Sequence, residues 1–156
     1  MTEMSAIVAD ASRTWKVGDK LAEVVHGPLT RGDLALFAGA SGDHVLLHID
    51  SDHAKAAGFD DVFAHGMLSM AFLAQLLSGS FPPERIREWS TRFLAITPLH
   101  ATVRCTGEIV EIFEAESEQR ARISLKAYAD GVATLQGSAI VALGKAPEIP
   151  VKVGVT

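Results

Sequence analysis

The chain has 156 residues, 48% of them hydrophobic and 21% charged, with a formal net charge of −5 when its histidines are neutral. That is enough apolar material for one domain with its own core, without a metal or disulfide staple, and the single cysteine, Cys105, excludes an internal disulfide. The acidic balance and lack of a basic stripe argue against nucleic acid. No apolar run reaches the roughly 18 residues of a membrane span, and the acid-bearing N-terminal stretch does not read as a signal peptide, so the expected location is cytoplasmic.

Residues 1–13 are small and polar and read as a loose arm. Trp15 to Asp19 reads as a short strand ending in a Gly-Asp turn, and Leu21 to Val25 as a second, broken by His26-Gly27-Pro28. Thr30, with Asp33 three residues on, predicts the N-cap of a helix over Arg31–Ala38. Gly39 to His48 reads as loop. Asp50 or Ser51 caps a short helix through Ala57, closed by Gly58. Phe59 to Phe63 is connecting loop. The helix from His65 to about Ser78, ended by Gly79, is apolar on nearly every side and is expected to be buried on nearly every side.

After Pro83 the period changes. Strands are predicted over Arg85–Ile96, Thr102–Phe113, Ala121–Asp130 and Val132–Leu143, with a charged turn at Glu114–Gln119 and a hairpin turn at Asp130-Gly131. The tail from Gly144 reads as an extension or a loose end. The class is therefore α+β: an antiparallel sheet wrapped around one apolar helix, in a single domain over 1–156 with its core at about 14–144. Such a sheet leaves an open edge that a second copy can cover.

Two motifs carry the chemistry. Ser41-Gly42-Asp43-His44-Val45-Leu46-Leu47-His48 places an acid and an imidazole five residues apart, and Ala64-His65-Gly66-Met67-Leu68 opens the apolar helix. With Arg92-Phe93-Leu94-Ala95-Ile96-Thr97-Pro98, this chain resembles the MaoC-like dehydratases, the (R)-specific enoyl-CoA hydratases of the hotdog fold, over roughly Arg31 to Leu143. The family's first motif reads Ser-Gly-Asp-x-Asn-Pro-Leu-His. Here Val45-Leu46 replaces Asn-Pro, and Leu99-His100 replaces the usual Gly-Asp after the strand proline.

The resemblance implies hydration of trans-2-enoyl thioesters to (R)-3-hydroxyacyl thioesters, or the reverse. Asp43 and His48 would be an acid–base pair around one water, and the Gly66 backbone N–H an oxyanion donor at the positive end of the helix. His65, Met67 and His44 are candidate substrate contacts. It implies an acyl-CoA or acyl carrier protein thioester as substrate, no cofactor and no metal, and a homodimer or higher homo-oligomer, with a heterodimer open. Each residue has a plainer reading beside this one. Asp43 suits an Asx-turn, His48 a satisfied structural histidine, His65 a loop brace, His53 the surface, and Cys105 a small buried hydrophobe. Arg87, Arg92 and Lys126 are cations available to a CoA phosphate, as are other surface cations. Two other functions compete: a non-catalytic or partner-dependent subunit of a heteromeric dehydratase, and a hotdog thioesterase. The latter uses a carboxylate on or near the helix, and Met67–Ser78 contains none.

Overall fold

The computed structural model describes residues 14–144, so the arm and tail expected at the two ends lie outside the described residues. The chain runs β1 (Val24–His26), α1 (Arg31–Ser41), a 3₁₀ turn (Leu46–His48), α2 (Ser51–Ala56), α3 (Gly66–Ser80), a 3₁₀ turn (Pro83–Arg85), β2 (Ile86–Phe93), β3 (Val103–Ala115), β4 (Glu118–Ala129) and β5 (Val132–Ala142). The five strands form one antiparallel sheet in the order β1-β3-β4-β5-β2. The short β1 and the longer β2 are its edges.

The sheet rests on α3. Alternation along β3 and β4 turns Val103, Cys105, Ile109, Ile123 and Leu125 inward, where they form one cluster with Leu73, Leu76 and Leu77 of the helix. Ile109 lies opposite Ile123 and Cys105 opposite Ala127. Burial raises the Cys105 thiol to about 12, so it behaves as the small hydrophobe expected of it.

Several expectations are corrected. Trp15–Asp19 is a turn rather than a strand, followed by an isolated bridge from Lys20 to Glu108, and the first strand starts at Val24. Helix α1 runs three residues past Ala38, because Gly39 continues it and Gly42, at φ 76°, is the residue that ends it. Helix α3 likewise passes Gly79 and stops at Ser80. Nor is α3 buried on nearly every side in the single chain: Met67 is 54% exposed, and Gln75 and Ser78 face outward. One sheet covers one flank of a helix, and the other flank is left open. The turn between β3 and β4 is also tighter than predicted. Glu116 and Ser117 both take positive φ, and the strands run up to either side of them, since that backbone hand matches the strand twist.

Other local readings hold. Thr30 caps α1 in a reciprocal box with Asp33, whose carboxylate accepts the Thr30 N–H at 2.7 Å. Asp50, rather than Ser51, caps α2 by accepting from the backbone of Asp52 and His53. Asp130-Gly131 makes the expected hairpin turn, with φ of 47° and 88°.

Candidate active site

The first motif leaves α1 through the left-handed Gly42, which turns the chain back toward the start of α3. Asp43 follows, and its side chain accepts a long hydrogen bond from the Val45 N–H at 3.3 Å. The Asx-turn reading is thus correct as local geometry. The 3₁₀ turn Leu46–His48 then carries His48 inward. His65, at the N-cap of α3, comes from the other side. One nitrogen of each imidazole and one Asp43 carboxylate oxygen all lie within 4.8 Å of one another. The two rings stack with centroids 3.9 Å apart.

The hydrogen bonds assign the protons. His48 Nδ1 lies 2.8 Å from the Phe63 carbonyl. A carbonyl only accepts, so Nδ1 carries the hydrogen and Nε2 presents a lone pair. His65 Nε2 lies 3.0 Å from the Asp43 backbone carbonyl and donates to it, leaving Nδ1 buried with no partner among the described residues. Burial, aided by the proximity of His48, pushes the His65 pKa down, so His65 is held neutral. At 1% exposure it presents little surface to a ligand and braces the loop that bears Asp43. The donor set has the composition of a metal site, and each histidine, with one nitrogen on a backbone carbonyl, keeps its other nitrogen free. The same arrangement sets a carboxylate beside an imidazole lone pair, which can exchange protons with a small polar molecule.

Gly66 opens α3, and its N–H lies in the first turn, where the helix supplies no acceptor. Gly66 lines a cleft of about 360 Å³ whose walls also include Phe63, Ser69, Phe93 and Leu94. The Phe93 ring crosses closely over Gly66: a Cβ there would lie 2.8 Å from Phe93 Cε1. Met67 is exposed beside it. His44 is exposed and stands outside the Asp43–His48–His65 cluster, and His53 is on the surface. Of the cations named above, Arg87 is committed to Glu118 through bonds of 2.7 and 2.9 Å.

Sequence reasoning missed the Phe63 carbonyl, which lay in a stretch read only as connecting loop. A backbone carbonyl carries no sequence signature. Only the fold shows that this one meets His48.

Residues 13–129 match the family model of the MaoC like domain. Over 101 residues the chain is 29% identical to the 3-hydroxyacyl-thioester dehydratase Z of Mycobacterium tuberculosis, covering 61% of this chain and 67% of that protein. Over 54 residues it is 37% identical to the (R)-specific enoyl-CoA hydratase of Rhodospirillum rubrum, covering 35% of this chain and 38% of that protein. Among solved structures, the R-hydratase PhaJ1 from Pseudomonas aeruginosa superposes with a TM-score of 0.73 at 28% identity over 84% of each chain. An (R)-hydratase from A. caviae does so with a TM-score of 0.73 at 23% identity, which bears on the fold alone. The sheet wrapped on α3 is the hotdog fold, and the chain belongs to the MaoC-like family of hydratases and dehydratases, a family of hydro-lyases.

Proposed function

We propose that this protein adds water to trans-2-enoyl thioesters to give (R)-3-hydroxyacyl thioesters, or removes it in reverse, with Asp43 and His48 as the acid–base pair. The observation that carries this is the convergence of the Asp43 carboxylate and the His48 imidazole at the start of α3, with Nδ1 of His48 tied to the Phe63 carbonyl. A water held between them gives a proton to Nε2 as its oxygen bonds to C3 of the enoyl group. Electron density moves to the thioester oxygen, which the Gly66 N–H stabilises. The proton then passes to C2, so H and OH are both delivered and the pair is restored. Each such acid–base group is worth about 10²–10⁴ in rate, and one oxyanion donor about 10²–10³. The (R) hand follows the names of the relatives.

CoA is the carrier in this reading, with acyl carrier protein as the alternative. The protein works as a homodimer in which a second copy continues the sheet along β2, whose free edge is followed by the half-exposed Phe93, Leu94 and Ile96. The thioesterase reading is disfavoured because α3 carries no acid from Gly66 to Ser80. The non-catalytic subunit is disfavoured because it has no need of a converged Asp43 and His48.

The test is to mix the protein with crotonyl-CoA and longer trans-2-enoyl-CoAs and follow loss of the conjugated thioester absorbance. Wild type removes it. Asp43→Asn and His48→Ala each lower the rate by about 10² or more with circular dichroism unchanged. Full activity in both variants refutes the assignment.

A further inference from the structure

Asp61 lies in the loop between α2 and α3, yet its carboxylate gathers groups from three elements. Oδ1 accepts from the Ser51 hydroxyl, at the start of α2, and from the Val62 N–H, each at 2.8 Å. Oδ2 pairs with the Arg31 guanidinium, at the start of α1. Val62 is itself 2% exposed, and the next residue is Phe63, whose carbonyl receives His48 Nδ1–H.

We propose that Asp61 is a positioning residue for the reaction: it fastens the loop so that the Phe63 carbonyl holds His48 in the Nδ1–H form, with Nε2 facing the substrate water. The proposal rests on the reading of His48 as the acid–base imidazole. The downstream side of this loop is fastened independently, by the Ala64 N–H on the Thr97 carbonyl at 2.9 Å and by a bridge from Phe63 to Pro98. Upstream, beside the burial of Val62, Asp61 ties this loop through the Ser51 hydroxyl to the segment that carries His48 three residues earlier. The Phe63 carbonyl shares one planar peptide with that Ala64 N–H and keeps its direction; without Asp61 it is the His48 side that can draw away from it. The two tautomers of a neutral histidine are close in energy in water, so the partner of one nitrogen decides which is populated.

The parts of the clamp are unequal. The Arg31 side chain is 56% exposed, and an exposed ion pair contributes little. The hydrogen bonds to Ser51 and Val62 carry most of the hold. The Asp61 pKa is lowered first by the Ser51 hydroxyl and then by the Val62 N–H, ahead of the charge of Arg31. An asparagine keeps one acceptor oxygen for both of these donors and gives up the Arg31 pair, its NH2 taking the place of Oδ2.

The experiment compares wild type, Asp61→Asn, Asp61→Ala and Ser51→Ala by imidazole ¹⁵N NMR and by steady-state kinetics. In wild type and Asp61→Asn, His48 shows one Nδ1–H tautomer. In Asp61→Ala it shows both, and kcat falls about tenfold or more while KM changes less than about twofold, since a misplaced catalytic group costs up to about 10²-fold. Ser51→Ala, which removes one bond and is the milder variant if Asp61→Ala does not fold, shows a smaller shift in the same direction. A folded Asp61→Ala, or in its absence a Ser51→Ala, with the wild-type tautomer and kcat overturns the proposal. So does an Asp61→Asn variant as impaired as Asp61→Ala. The tautomer is read without substrate, so inactivity of the wild type toward enoyl thioesters counts against the proposed reaction and not against the clamp.

Discussion

Gly66→Ala separates the chemical role of the helix start from its packing role. The added Cβ lies 2.8 and 3.0 Å from Phe93 Cε1 and Cδ1, where carbon atoms prefer about 3.5–4.0 Å. The ring must therefore move by roughly 1 Å. Phe93 is 51% exposed at the end of β2 in the single chain, so there the ring has room to swing, at a cost of about 0.5–1.5 kcal/mol if it leaves its rotamer. Alanine returns up to about 1 kcal/mol of helix propensity, less at the first helical position. The net change in stability is thus within about 1 kcal/mol, or a few degrees in Tm. The effect on catalysis is larger. A methyl group beside the Gly66 N–H keeps the thioester oxygen from its donor, and loss of such a donor costs about 10²–10³ in rate, or about 2.7–4 kcal/mol. The assay is kcat/KM on crotonyl-CoA alongside a thermal melt. A kcat/KM within threefold of wild type refutes the role given to this N–H. A fall in Tm beyond about 10 °C shows instead that the glycine is there for Phe93.

Leu73→Ala, at a position with 0% exposure in α3, destabilises by about 2–5 kcal/mol in chemical denaturation; a change below 1 kcal/mol refutes the central place of α3 in the core. Gly137→Ala brings a Cβ within 2.1 Å of the Ser90 carbonyl and 2.9 Å of Thr91 Cα, both backbone atoms of the neighbouring β2 that cannot swing aside. It lowers stability by about 1–3 kcal/mol or more, and an unchanged melting temperature refutes the observed register of β2 against β5. Glu118, gripped first by Arg87 and then by Arg120, has its pKa lowered to about 2 from an ordinary 4.5. A folded pKa below the unfolded one stabilises the protein above the unfolded value and stops doing so as pH falls through the folded value. Stability is therefore lost from about pH 4.5 toward pH 2. Glu118→Gln flattens that loss in melts taken at pH 7 and pH 3, and an identical acid limb in both proteins refutes the grip.

The parts legible in the sequence are those fixed by short-range chemistry. Thr30 and Asp33 announce the start of α1 because a capping box needs only four residues. Asp130-Gly131 announces its hairpin because the turn demands positive φ at both positions. The end of α1 was misjudged because Gly39 and Gly42 are chemically alike, and only backbone conformation tells which one ends the helix. The exposed flank of α3 was misjudged for a different reason. Composition reports how apolar a helix is, whereas burial depends on how much of it one sheet can reach. In the site, the resemblance of Ser41–His48 to the MaoC-like motif pointed to Asp43 and His48 together, and one ligand atom of each lies within 4.8 Å of the other. The two tethers that fix the histidines run to the carbonyls of Phe63 and Asp43, and a carbonyl is present at every residue.

The replacement of Asn-Pro by Val45-Leu46 shows how those tethers distribute the work of the loop. A proline fixes φ, and an asparagine offers a polar side chain. Neither is needed here to close the turn. Gly42 reverses the chain, Asp43 accepts from the Val45 N–H, and the His48 and Asp50 N–H groups close 3₁₀ and helical bonds on the Val45 and Leu46 carbonyls at 3.0 and 2.8 Å. His65 then holds the loop from outside through the Asp43 carbonyl. The positions of Asp43 and His48 thus rest on backbone bonds that any side chain at 45 and 46 permits. The side chains themselves are 51% and 45% exposed. The substitution therefore alters the surface that an approaching molecule meets and leaves Asp43 and His48 converged.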